Sequence, residues 1–152
     1  MSDETLPLVF KERRQWGNPM SDAAAYTCIR AYSPYDNLDD AWTRAHRHRG
    51  GAAAGGSKAC LGFPHVLLTG SLNDARVPYH EPAKYAAKLR VLQAYERQRG
   101  QSPLPLVLLQ VAATGGHGAS SGGSGRLAER AAKYGFLFWA LGVDRGGLTN
   151  KS

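Results

Sequence analysis

The chain holds only two cysteines, Cys28 and Cys60, among 152 residues. Two thiols make neither a disulfide framework nor a zinc-ligand spacing, so free buried thiols in a reducing compartment are expected. No apolar run approaches the roughly 20 residues that span a bilayer. No charged segment followed by an apolar one opens the chain as in a secretory signal. These absences predict a soluble, cytoplasmic protein that does not engage a membrane. Acidic residues are also scarce, 12 against 19 Lys and Arg, for a formal charge of +7. Charge alone predicts weak, salt-sensitive nucleic-acid binding. The basic residues are scattered and no base-reading motif accompanies them, so a nucleic-acid module is the weakest reading. His46 and His48 alternate with Arg44, Arg47 and Arg49. Cations repel a divalent metal and no third ligand stands at a usual spacing, so no metal or cofactor is expected.

What is present fits one domain with a real core at this length. The eighteen glycines cluster in 50–56 and 115–125, which argues for loops inside a folded protein. Residues 1–20 read as an irregular segment ending in the turn Trp16-Gly17-Asn18-Pro19. Ser21 is the expected cap of a short helix that stops before Pro34. Residues 39–62 read as a low-complexity surface insertion, with 43–60 dispensable, and 144–152 as a tail. A strand is predicted over 65–69 and another, aliphatic and covered on both faces, over 105–111. Between them Glu81-Pro82 opens a helix with Tyr85, Leu89, Leu92 and Tyr95 on one face. A last helix starts at Ser124 or Gly125, carries Leu127, Ala131, Tyr134, Phe138 and Leu141 on one side, and ends at Gly142.

Each strand runs into a polar loop that carries a reactive group. The first reaches Leu72-Asn73-Asp74-Ala75-Arg76 and the second Thr114-Gly115-Gly116-His117-Gly118. In an open parallel sheet, reactive groups gather past the carboxyl ends of the strands. An acid followed in the chain by a histidine is the order of the last two members of an α/β-hydrolase triad. The pairing has a chemical reason. Imidazole takes the proton of a serine hydroxyl, and a carboxylate on the far ring nitrogen fixes the tautomer and stabilises the imidazolium. Taken separately, Asp74 has a plain reading as turn chemistry, its side chain capping a local amide, and His117 as a solvated loop residue. The serine is missing. Gly118-Ala119-Ser120-Ser121-Gly122 satisfies the letters of a nucleophile elbow. It follows the acid and the base and does not directly follow a strand, so it is read as a flexible loop.

Trp16-Gly17-Asn18-Pro19, Ala31-Tyr32-Ser33-Pro34-Tyr35-Asp36-Asn37, Asp74-Ala75-Arg76-Val77 with Glu81-Pro82-Ala83-Lys84-Tyr85, and Gly116-His117-Gly118 stand in this order. Together they resemble the prolyl oligopeptidase family of serine peptidases, its oligopeptidase B branch most closely, over residues 3–143 outside the insertion. The resemblance implies that Asp74 is the triad acid and His117 the triad base. It implies that Arg76 binds a substrate backbone carbonyl, a task suited to a fixed set of charged donors. In that branch two acids precede Trp-Gly-Asn-Pro and select basic substrate side chains. Glu12 keeps the first position and is a candidate substrate-binding residue. Arg14 occupies the second, where a cation repels Arg or Lys. The family's nucleophile, oxyanion hole and propeller domain correspond to sequence upstream of this segment.

The resulting expectation is the C-terminal half of an α/β-hydrolase fold, a doubly wound and mainly parallel sheet, incomplete as a domain. It is the part of a serine oligopeptidase that supplies acid and base but no nucleophile, inactive alone. The expected partners are short peptide substrates, the upstream part of the catalytic domain and the propeller domain. A non-catalytic remnant that binds peptides or partners is the alternative.

Overall fold

A computed structural model describes residues 6–47, 63–117 and 123–143. The chain divides by its contacts into two compact units, Met1–Pro64 with Lys84–Leu106, and His65–Ala83 with Val107–Ser152.

The first unit is helical. α1, Pro7–Trp16, occupies much of the stretch read from sequence as irregular. Its punctuation is a proline at the start and a glycine just past the end. The intervening Lys11-Glu12-Arg13-Arg14-Gln15 run hides the helical period. Gly17 has φ +80°, and a Cβ there would lie 2.8 Å from that of Ala25, so glycine is required twice over. α2, Ala23–Tyr32, is capped by Asp22 and not by Ser21: the Asp22 carboxylate accepts from the N–H groups of Ala24 and Ala25. Cys28 is free and exposed on α2, contrary to the buried thiol expected, because the half-buried stripe of this helix runs through Ala25 and Ile29. The Asn37 amide donates to the carbonyls of Arg30, Ala31 and Ser33, closing the open end of α2.

α3, Leu38–Arg47, lies where the insertion was expected to begin. Leu38 and Trp42, one turn apart, are buried at 1% and 2% exposure. Trp42 stacks on His46 with ring centroids 4.5 Å apart and meets Phe63 at 4.9 Å. The start of the insertion is therefore corrected: 39–47 is core-forming helix, and its two apolar anchors are too few to stand out in a polar run. Residues 48–62 lie outside the described residues, as does the tail at 144–152. Lys88 ties α3 to α4, His80–Gln98, through an ion pair with Asp39 at 2.6 Å and a hydrogen bond to the Tyr35 carbonyl at 2.9 Å. On α4 Ala86 and Leu89 are buried. Tyr95, read as part of the apolar face, is 56% exposed and accepts a hydrogen bond from Arg99.

The second unit holds a two-stranded parallel sheet among the described residues, β1 Val66–Ser71 beside β2 Val107–Ala112. Both strands lie a residue or two past their expected positions, each held off by the proline that precedes it (Pro64, Pro105). The register pairs Val66 with Val107 and Ser71 with Ala112. With side chains alternating, Val107 is buried at 7% exposure and its neighbour Leu108 is 39% exposed. The expectation that this strand is covered on both faces thus fails on the Leu108 and Gln110 face.

α5, Gly123–Leu141, ends at Gly142 with φ +68°. Its half-buried positions are Gly125, Glu129, Phe136 and Ala140. The stripe of Leu127, Tyr134, Phe138 and Leu141 is periodic as read but open to solvent, 70% exposed at Leu127. Trp139 packs edge-on against His65 at 4.8 Å, next to the start of β1.

Candidate active site at the carboxyl ends of the strands

Parallel pairing puts the ends of β1 and β2 side by side, so the two loops that follow emerge on one edge. The first loop turns at once. The Asp74 N–H donates to the Ser71 carbonyl, and Oδ1 of Asp74 accepts from the N–H groups of Arg76 at 2.8 Å and Val77 at 3.0 Å. This is the Asx-type turn chemistry of the plain reading. The carboxylate also meets His117, with Nδ1 3.0 Å from Oδ2 and 3.2 Å from Oδ1. The two readings of Asp74 are not rivals: Oδ1 serves the turn and also lies 3.2 Å from Nδ1, while Oδ2 makes the shorter contact with the imidazole.

The Asp74 carboxyl is held below its ordinary value. The chief cause is the Val77 N–H, opposed by desolvation and reinforced by the Arg76 N–H and by His117. An ionised carboxylate can only accept, so Nδ1 of His117 carries the proton and donates. In the neutral imidazole this leaves Nε2 as the bare nitrogen. The Asp74 side chain is 10% exposed and that of His117 46%, which gives a sheltered carboxylate and an open imidazole. The loop carrying His117 turns at Gly115, whose φ of +91° suits glycine.

A cleft of about 230 Å³ opens at the pair, lined also by Thr69, Ser71, Val77 and Pro82 and by Glu129 and Lys133 of α5. Lys133 is ion-paired with Glu129 at 2.7 Å. Among the described residues no group of three side chains could hold a metal ion, and no helix is long and apolar enough to cross a membrane.

Arg76, on the turn beside Asp74, is exposed. Glu12 belongs to α1 in the first unit, where it lines a small cleft with Val9, Arg13, Trp16 and Pro19. Arg14 is exposed on the same helix. Ser120 lies outside the described residues. Two residues that sequence reasoning passed over also matter at this edge. Ser71, buried at 7% exposure, donates through Oγ to the Gly115 carbonyl at 3.0 Å. Asn73 donates through Nδ2 to the Ala113 carbonyl at 3.2 Å. A serine and an asparagine just past a strand were the available signal, but backbone acceptors leave no trace in a sequence.

The structure thus joins a carboxylate and a histidine across neighbouring strand ends, and comparison with known proteins gives the chain a family. The chain belongs to the prolyl oligopeptidase family, whose model matches residues 1–144. It is 35% identical to dipeptidyl aminopeptidase BI of Pseudoxanthomonas mexicana over 94% of this chain and 16% of that protein. It is 29% identical to protease 2 of Moraxella lacunata over 95% of this chain and 17% of that protein. A prolyl endopeptidase-like protein of Xenopus laevis is 28% identical over 95% of this chain and 18% of its own length. The chain thus spans less than a fifth of the length of these relatives.

Proposed function

We propose that this segment supplies the acid and the base of a serine peptidase that cleaves short peptides by acyl transfer. Asp74 is the orienting acid and His117 the general base. The reading rests on one observation above all: the carboxylate and Nδ1 lie 3.0 Å apart in a chain of this family. With Nδ1 protonated, Nε2 is the atom that accepts a serine proton as the hydroxyl attacks the scissile carbonyl. It then returns that proton to the leaving amine. Asp74 stays ionised and stabilises the imidazolium. The serine comes from the remainder of an α/β-hydrolase domain, to which this segment contributes the C-terminal half.

The open apolar stripe on α5 and the exposed face of β2 support that reading, since apolar faces of this kind are covered in complete domains. Arg76, fixed on the turn that holds the acid, is suited to bind a peptide carbonyl. Glu12 is the candidate for contact with a substrate side chain, and Arg14 two residues on argues against a preference for basic residues.

The test is a chimera in which residues 1–144 replace the matching segment of dipeptidyl aminopeptidase BI. It should hydrolyse short peptide substrates, and His117→Ala or Asp74→Ala should lower turnover by about 10⁴ or more, because triad members act as a unit. A chimera that keeps full turnover without His117 overturns the assignment.

A further inference from the structure

We propose that Ser71 and Asn73 are positioning residues that fasten the acid loop to the histidine loop and so hold the Asp74–His117 pair together. The inference rests on the reading of that pair as acid and base, and extends it to groups that act on the pair through backbone carbonyls of the neighbouring loop.

The bonds form an unbroken series past the last strand pair, Ser71 with Ala112. Ser71 Oγ donates to the Gly115 carbonyl at 3.0 Å, the Leu72 N–H to the Ala112 carbonyl at 3.0 Å, and Asn73 Nδ2 to the Ala113 carbonyl at 3.2 Å. The next residue, Asp74, meets His117. Ordinary strand pairing cannot supply the first and third contacts, because the paired register ends at Ser71 and Ala112 and their acceptors, Gly115 and Ala113, lie beyond it. Side-chain donors therefore take over where backbone donors no longer reach. Ser71 is buried, so its hydroxyl has a strong reason to keep a partner. Gly115 and His117 are two residues apart, so fixing the carbonyl of one limits where the imidazole of the other can go.

The consequence is a divided labour within one turn. Oδ1 of Asp74 and the amides of Arg76 and Val77 set the direction of the carboxylate on its own loop. Ser71 and Asn73 set the distance between that loop and its neighbour. Neither set alone places a carboxylate oxygen at Nδ1.

The experiment follows the imidazole nitrogens of His117 by ¹⁵N NMR in the 152-residue chain, with thermal melting as a control for folding. In the wild type the docked loop should show Nδ1 protonated and Nε2 as the bare nitrogen. Ser71→Ala and Asn73→Ala should each lower the ratio of docked to undocked loop by about fivefold, the worth of one neutral hydrogen bond. The double variant should lose more than either and drift toward the tautomer mixture of a free imidazole. Ser71→Thr, which keeps the hydroxyl, should restore the Nδ1–H signature. If the wild type lacks a protonated Nδ1, the acid–base reading itself fails. If the wild type shows it and the double variant, folded by its melt, keeps it undiminished, the clamp alone is refuted.

Discussion

Replacing Asp74 by asparagine separates the two duties of its carboxylate. Asparagine retains an oxygen for the N–H groups of Arg76 and Val77, which lie 2.8 and 3.0 Å from Oδ1, so the turn should persist. The other branch becomes an amide NH₂ facing Nδ1 of His117. Two donors cannot bond each other, and the retained oxygen, 3.2 Å from Nδ1, already serves two amides, so the tautomer with Nδ1 bare and Nε2 protonated is favoured. An imidazole protonated at Nε2 can no longer accept a hydroxyl proton there. In the Ser-His-Asp template this exchange leaves the geometry intact and lowers turnover by about 10⁴. The same fall is expected for Asp74→Asn in the chimera, with KM little changed.

The 152-residue chain reports the cause without catalysis. The imidazole ¹⁵N pattern should invert, with Nδ1 changing from the protonated to the bare nitrogen. Asp74→Ala should instead release the turn and leave the ring in a tautomer mixture. An asparagine variant that keeps Nδ1 protonated, or a chimera that loses less than about tenfold in kcat, would refute the tautomer argument.

Four further outcomes are expected. Trp42→Ala should destabilise by about 2–4 kcal/mol, taking about 3–5 for a buried tryptophan less part of the cost of a buried indole N–H that has no partner among the described residues. Trp42→Phe, which keeps the stacking on His46 and Phe63 and removes that N–H, should melt within about 4 °C of the wild type, equivalent to about 1 kcal/mol. Deleting 43–60 should destabilise because it removes the end of α3, whereas deleting only the Gly/Ala-rich 48–62 and bridging it with a short Gly/Ser linker should leave the melt nearly unchanged; equal losses would contradict this. The Asp74 carboxyl, depressed by its two backbone donors and His117, contributes stability that is present above the unfolded aspartate value and lost as pH falls through the lower folded value; urea midpoints between about pH 2 and 5 should therefore fall less steeply in Asp74→Asn. Finally, the 152-residue chain should not react with serine-directed phosphonates, and labelling mapped to Ser120 would reverse the reading of Gly118–Gly122 as a plain loop.

The parts of the fold that could be read from sequence are those where a local pattern and the tertiary structure agree. Val66–Ser71 and Val107–Ala112 are aliphatic runs behind prolines, too short for buried helices, and both are strands. Asp74 and His117 could be paired because each stands just past such a run. α1 was missed because charged residues fill the middle of it, and α3 because only Leu38 and Trp42 anchor it. The α5 stripe shows the opposite failure. Its period was right, but period reports a face, not what covers that face, and Leu127 and Leu141 are 70% and 67% exposed. Asp22 displaced Ser21 as a cap by a single position, a difference the local sequence does not resolve.

The Asp74–His117 geometry is in this sense a property of the second unit alone. It requires two parallel neighbours in the observed register, an acid three residues past Ser71, a histidine five past Ala112, and loops tied to each other at Ser71, Leu72 and Asn73. All these groups lie within His65–Ala83 and Val107–Ser152. A nucleophile is thus not needed to bring carboxylate and imidazole together, because hydrogen bonds of the strand ends already do so. On the proposed function, a serine that meets His117 would find an imidazole already oriented by the Asp74 turn, so that no reorganisation of the pair would be required when the hydroxyl gives up its proton.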